Sequence, residues 1–107
     1  MDKKRLKSIK LDRDHMNCLH CGGEFLHQEK VEVFKRKEYE KYGIYASIED
    51  TNVNVDTNSD LVSTDNPSQY RDGVLIELQC ESCQEKSKLA IFQHKGCTYF
   101  FTFLVDE

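Results

Sequence analysis

One proline, five glycines and no tryptophan in 107 residues leave few chain breakers and few large aromatic anchors. Long apolar runs are missing too. Nothing approaches the ~20 consecutive apolar residues of a membrane-spanning helix, so no membrane partner is expected. The N-terminus is basic but has no apolar segment behind it, so it does not read as a signal peptide. The usual marks of catalysis are also lacking. There is no glycine-rich phosphate loop, no His-Glu-x-x-His pair and no carboxylate pair on a recognisable element. Ser63, Ser68 and Ser82 stand in no nucleophile motif. His94, near Lys95 and Tyr99, reads as a hairpin surface residue rather than a base. Asp56-Thr57-Asn58-Ser59-Asp60 starts like a calcium loop but lacks the sixth-position glycine and twelfth-position glutamate. The expectation is a protein that is not an enzyme.

The length is that of one domain, able to bury roughly two-thirds of its unfolded surface. With 32% charged residues and a mean hydropathy of −0.67, the core must be thin. The net charge of −4 is unevenly spread. Within residues 1–13, Lys3, Lys4, Arg5, Lys7, Lys10 and Arg13 oppose only Asp2 and Asp12, and residues 1–14 read as a basic tail. Residues 49–72 carry Glu49, Asp50, Asp56, Asp60, Asp65 and Asp72 against Arg71 alone. Each run reads first as a solvated segment, and second as a surface for a partner of opposite charge.

Cysteine is the informative residue. Five cysteines include two Cys-x-x-Cys turns, Cys18-Leu19-His20-Cys21 and Cys80-Glu81-Ser82-Cys83. An odd count with two such turns argues for metal in a reducing cytoplasm rather than for disulfides. Zinc takes four ligands in a tetrahedron, and each short turn lets two sulfurs reach one ion. Cys18, Cys21, Cys80 and Cys83 are therefore the expected ligands of one zinc ion. With all four positions filled by cysteine, the ion is structural rather than catalytic. Rival readings are a redox Cys18–Cys21 pair, His20 or His27 replacing a thiolate, and two half-sites completed by a second subunit. Cys97 is left over, as a small buried apolar side chain in a hairpin.

Fifty-eight residues (22–79) separate the two turns, where a bare ribbon has roughly 15–20. A β-rich insertion at about 36–72 accounts for the difference. Strands near Glu24–Lys35 and Gly73–Gln79 would then pair and bring the turns together. Val31 and Val33 share one face of the first strand, Glu32 and Phe34 the other. Ile44–Thr57 alternates as a second extended region, and Asn58–Asp72 reads as a long loop, either mobile or functional. Val74, Ile76 and Leu78 alternate, as do Leu89 and Ile91 against Ala90 and Phe92. His94-Lys95-Gly96-Cys97 is a hairpin turn. Cys97–Val105, apolar on both sides, is expected to be a central or interface strand. The fold class is thus small and mainly β: an antiparallel sheet with a four-cysteine site, in one domain over 15–107.

Cys18-Leu19-His20-Cys21-Gly22-Gly23 with Cys80-Glu81-Ser82-Cys83 between hairpin strands resembles the zinc-ribbon class. Residues 66–96 resemble small bacterial and mobile-element zinc-ribbon proteins. The class implies a structural zinc and a binding role toward protein or nucleic acid, and no reaction; a phage or mobile-element origin would imply a modulator of a host machine. The chain departs from the class in its long insertion, its acidic balance and Gln84, where the first turn has Gly22. Two binding roles follow. One is a protein adaptor using Tyr99, Phe101 and Phe103 together with Asp56, Asp60 and Asp65, with a homodimer through Cys97–Val105 as the simplest use of that strand. The other is nucleic-acid binding through Lys3, Lys4, Arg5, Lys7, Lys10 and Arg13, with Lys35, Arg36, Lys37, Arg71, Lys86, Lys88 and Lys95 as further contacts. The acidic balance favours the first.

Overall fold

A computed structural model describes residues 15–62, 64–69 and 71–105, so the basic tail lies outside it. Six strands follow in order: β1 (Leu26–Lys35), β2 (Tyr42–Glu49), β3 (Asn52–Asp60), β4 (Gly73–Cys80), β5 (Lys86–His94) and β6 (Cys97–Leu104). All pair antiparallel in one sheet of order β3-β2-β1-β4-β5-β6, with no helix among the described residues. This is the small, mainly-β fold that the alternation predicts.

The sheet closes through β1 and β4. Val31 lies opposite Ile76 and Val33 opposite Val74, so the alternation that defines each strand also sets their register. That register carries Leu26 opposite Cys80, joining the two cysteine turns at one end of the sheet. A second determinant is a row of charges. Lys30 pairs with Glu49 on one side and Glu77 on the other, and Glu77 pairs in turn with Lys88. Opposite charges placed directly across strands favour this register over a slipped one.

Residues 36–72 depart from the sequence expectation in two ways. Ile44–Thr57 is not one extended region but the hairpin β2–β3, broken at Asp50, whose φ is 56°. Aspartate tolerates that left-handed backbone; beyond it the alternation keeps its period of two but changes phase, from Ile44, Ala46 and Ile48 to Val53 and Val55. The loop is correspondingly shorter, because β3 extends to Asp60. It is also anchored. Leu61 is buried with Phe34, Leu75 and Ala90, and Tyr45 and Phe103 pack around this cluster. Gly73 lies directly under Asn66 and Pro67, where any Cβ would collide.

Arg36 holds the same loop, and its charge is buried. Its guanidinium donates to the carbonyls of Glu40 (2.9 Å), Ser68 (3.3 Å), Arg71 (3.3 Å) and Gln69. Its backbone N–H donates to Asp72 Oδ1 at 2.9 Å. Arg36 is therefore a staple of the fold and not a nucleic-acid contact. The expectation failed because a single arginine in a basic triplet gives no sign that loop carbonyls will converge on it.

The sheet has two unlike faces. Phe34, Leu75, Ala90 and the loop make the covered face. On the outer face the registers align Val31, Val33, Ala46, Val74, Ile76 and Ile91, which are half-buried, with Ile48, Val53, Val55 and Phe100, which are exposed. Strands contact only their sheet neighbours. β6 forms the edge of the sheet rather than its centre. Its two-sided apolar pattern suited a central position, but β4 and β5 are joined by the second cysteine turn, which leaves β6 one free side. Cys97 is consequently exposed on that edge, not buried as expected.

Candidate metal centre

The two cysteine turns have the same backbone design. In the first, the Cys18 N–H donates to Gly23 O (2.8 Å) and the Gly22 N–H to Cys18 O (3.0 Å). In the second, the Cys80 N–H donates to Glu85 O (3.0 Å) and the Gln84 N–H to Cys80 O (3.0 Å). Each turn needs a left-handed residue after its second cysteine. Gly22 supplies it at φ 78°, and Gln84 takes the same position at φ 65°. Glycine adopts that conformation freely, whereas a side chain strains it by about 1–2 kcal/mol. Gln84 is held there by its own amide, which donates to Glu81 O at 2.9 Å. The Glu81 N–H donates to Phe25 O at 3.0 Å, tying one turn to the strand leaving the other.

This places four sulfurs together. Cys18, Cys21, Cys80 and Cys83 Sγ all lie within 4.8 Å of one another. Cys18 and Cys83 are 3.7 Å apart, and Cys21 and Cys80 3.6 Å. A tetrahedron of sulfurs at ~2.3 Å from a central zinc has edges of about 3.8 Å. A disulfide would need ~2.05 Å, and all five cysteines are free thiols. The separations therefore fit a shared ion and exclude pairing. Gly23 completes the cradle: a Cβ there would press on Cys21 Sγ, Cys80 Sγ and Ser82 Oγ, each at 3.3 Å.

Electrostatics push the four thiols apart. The N–H of Cys83, then that of Ser82 and the Cys21 and Cys18 thiols, hold Cys80 down to about 6 despite its burial. Cys18 is lowered by the N–H of Cys21, against desolvation. Cys83 receives the Glu85 N–H, but burial and the three neighbouring sulfurs outweigh it and push the thiol up to about 12. Cys21, an exposed residue, receives the Gly23 N–H, which lowers it, but the Cys80 and Cys18 sulfurs and local desolvation raise it on balance. Without a cation, four thiolates this close repel one another. A dication removes that repulsion, and the donor set suits a thiophilic metal.

The alternatives are resolved by placement. All four sulfurs come from one chain, which overturns the reading of two half-sites. The His20 ring approaches Lys86 O at 3.4 Å, and His27 approaches Glu81 Oε1 at 3.4 Å, both outside the sulfur cluster. Among the described residues, the chain holds one such group of ligands.

The other expected residues divide. Tyr99, Phe101 and Phe103 form a row on the covered face of β6. Phe92 stacks on Tyr99 (5.5 Å between centroids) and meets Phe101 edge-on (5.6 Å). Tyr99 and Phe101 remain 47% and 45% exposed. Asp56, Asp60 and Asp65 sit elsewhere. Asp56 and Asp60 are on β3, the opposite edge of the sheet, where Asp60 pairs with Lys41 at 3.6 Å. Asp65 lines an open cleft with Glu32, Phe34, Tyr45, Ser59 and Thr64. Aromatic and acidic residues thus make separate surfaces. Lys86 pairs with Glu77 at 3.9 Å and Lys88 belongs to the alternating charge row, so they form no basic stripe. The six basic residues of the tail lie outside the described residues. No helix among the described residues is long and apolar enough to cross a membrane. Sequence reasoning noted Gly23 as part of the first turn's motif but not its contact with the sulfurs, and it missed the structural role of Arg36, for which no local signal exists beyond the residue type. Comparison with protein-family models, curated proteins and solved structures finds no match to this chain.

Proposed function

We propose that the chain is a zinc-stabilised protein-interaction module of a reducing compartment, and not an enzyme. The observation that carries the zinc reading is the sulfur geometry: four thiols from one chain at separations that match the tetrahedral edge. Four protein sulfurs leave no ligand position for water or substrate, so the ion's role is structural. Protein binding is supported by β6, which has no strand paired to its outer side among the described residues and has exposed Tyr99 and Phe101 beside it. An extended segment of a partner can add to such an edge, its side chains packing on the aromatic row.

Metal analysis should find one zinc per chain, with Cys18, Cys21, Cys80 and Cys83 protected from alkylation and Cys97 reactive. Structural zinc contributes on the order of 10 kcal/mol, comparable to the whole stability of a domain of this size. Chelation should therefore abolish the β-sheet circular dichroism. An unchanged spectrum after stripping would refute the structural role. For the binding role, Tyr99→Ser with Phe101→Ser should lose partners co-purified from the native cell while zinc content is kept. Retention of those partners would reject β6 as the contact.

A further inference from the structure

We infer that the outer face of the sheet is the interface of a homodimer, two copies of this chain packing sheet against sheet. This goes beyond the zinc and β6 readings, since it concerns the opposite face and most of its residues lie on other strands. A sheet with apolar side chains on both faces needs a layer on each. The loop held by Arg36 and Leu61 covers one face, and the other presents Val33, Ile48, Val55, Ile76, Ile91 and Phe100 in cross-strand register. Ile48, Val55 and Phe100 are 50%, 62% and 53% exposed. Lys35, the charged side chain at one end of this face, is neutralised by Asp72 at 3.2 Å.

Area and charge select the occupant. Six strands at about 4.8 Å, each presenting about six residues at 3.4 Å, make a face of about 29 by 20 Å. That projects to about 600 Å², and its accessible surface is larger, approaching the ~800 Å² per partner of a standard interface. A second copy offers a face of the same size, equally apolar and with the same twist, the condition for aligned sheet packing. Residues 1–14 are a poorer match. They carry Met1, Leu6, Ile9 and Leu11 with six basic residues against three aspartates, and the paired strand positions of this face offer one acidic side chain, Asp60, which Lys41 already holds at 3.6 Å.

Sedimentation of the zinc-loaded full chain should show a species of twice 12.5 kDa that dissociates on dilution. Val55→Lys with Ile48→Lys places two charges where the partner sheet would desolvate them, and should weaken association by about 100-fold or more. Both positions are exposed in the single chain, so the β-sheet spectrum should survive; if it does not, Phe100→Lys at the other end of the sheet provides the same readout. Tyr99→Ser, on the covered face, should leave the dimer intact. A 12.5 kDa species at every concentration, or a dimer unaffected by these lysines, would overturn the inference. Loss of β6 partners in the Tyr99 and Phe101 variants is read separately, so the two proposals fail independently.

Discussion

Arg36 provides the sharpest test of how this sheet is held together. Its side chain bridges the start of the β1–β2 connection and the 66–72 loop through four carbonyls, with no carboxylate partner for the guanidinium among the described residues. Arg36→Met keeps most of the stem's packing and removes every donor. Glu40 and Gln69 are exposed, so water can re-solvate their carbonyls. Ser68 is 3% exposed, so water reaches its carbonyl poorly. Hydrogen bonds from a charged group contribute ~1.5–3 kcal/mol each, and losing those to the buried carbonyls, offset by re-solvation of the exposed ones, gives about 3 kcal/mol. With a urea slope of about 1.5 kcal/mol/M for a small domain, the midpoint should fall by about 2 M. Arg36→Lys, with one ammonium for four acceptors, should lose about half as much. Hydrogen exchange adds a local readout: the Gln93 N–H, bonded to Asp72 O at 3.0 Å, should exchange faster in the variant. A midpoint shift below about 0.5 M for Arg36→Met would refute the staple role.

Leu61→Ala empties a fully buried site among Phe34, Leu75 and Ala90 and should cost about 3 kcal/mol in urea unfolding. A loss near zero would mean that the loop does not seal the core. Tyr45 is held above its ordinary value, first by burial and then by donating its hydroxyl to Glu32 Oε2 at 2.7 Å. The raised value means the neutral phenol is favoured in the folded state. Its stabilisation is therefore complete below the unfolded value near 10, and lost as pH rises through the folded one. Phenolate absorbance should show a late-titrating component that Tyr45→Phe removes and Glu32→Gln moves down.

How far the sequence reaches depends on the range of the physical cause. The two Cys-x-x-Cys turns are local, and the chemistry of four thiols makes their convergence an inference from residue type alone. Strand alternation is local too, which is why β1, β4, β5 and β6 were legible, and why pairing of β1 with β4 followed from the need to join the turns. The β2–β3 break at Asp50 was not read. Alternation has the same period on both sides of a hairpin and Glu49-Asp50-Thr51-Asn52 carries no glycine, so the one local mark of the reversal is the change of phase from Ile44, Ala46 and Ile48 to Val53 and Val55.

By itself, then, the sequence determined the strand faces, the four cysteines that cluster and the class of fold, because each is written in periodicity or spacing. Tertiary structure alone decided which of those faces is covered. Periodicity says that Val33 and Phe34 point in opposite directions, but not that a loop tied down by Arg36 and Leu61 lies over Phe34. Nor does it say that β6 ends at an edge, leaving Cys97 exposed and the aromatic row beside unpaired backbone. Those outcomes depend on strand order and on contacts between residues far apart in the chain, which no local pattern encodes.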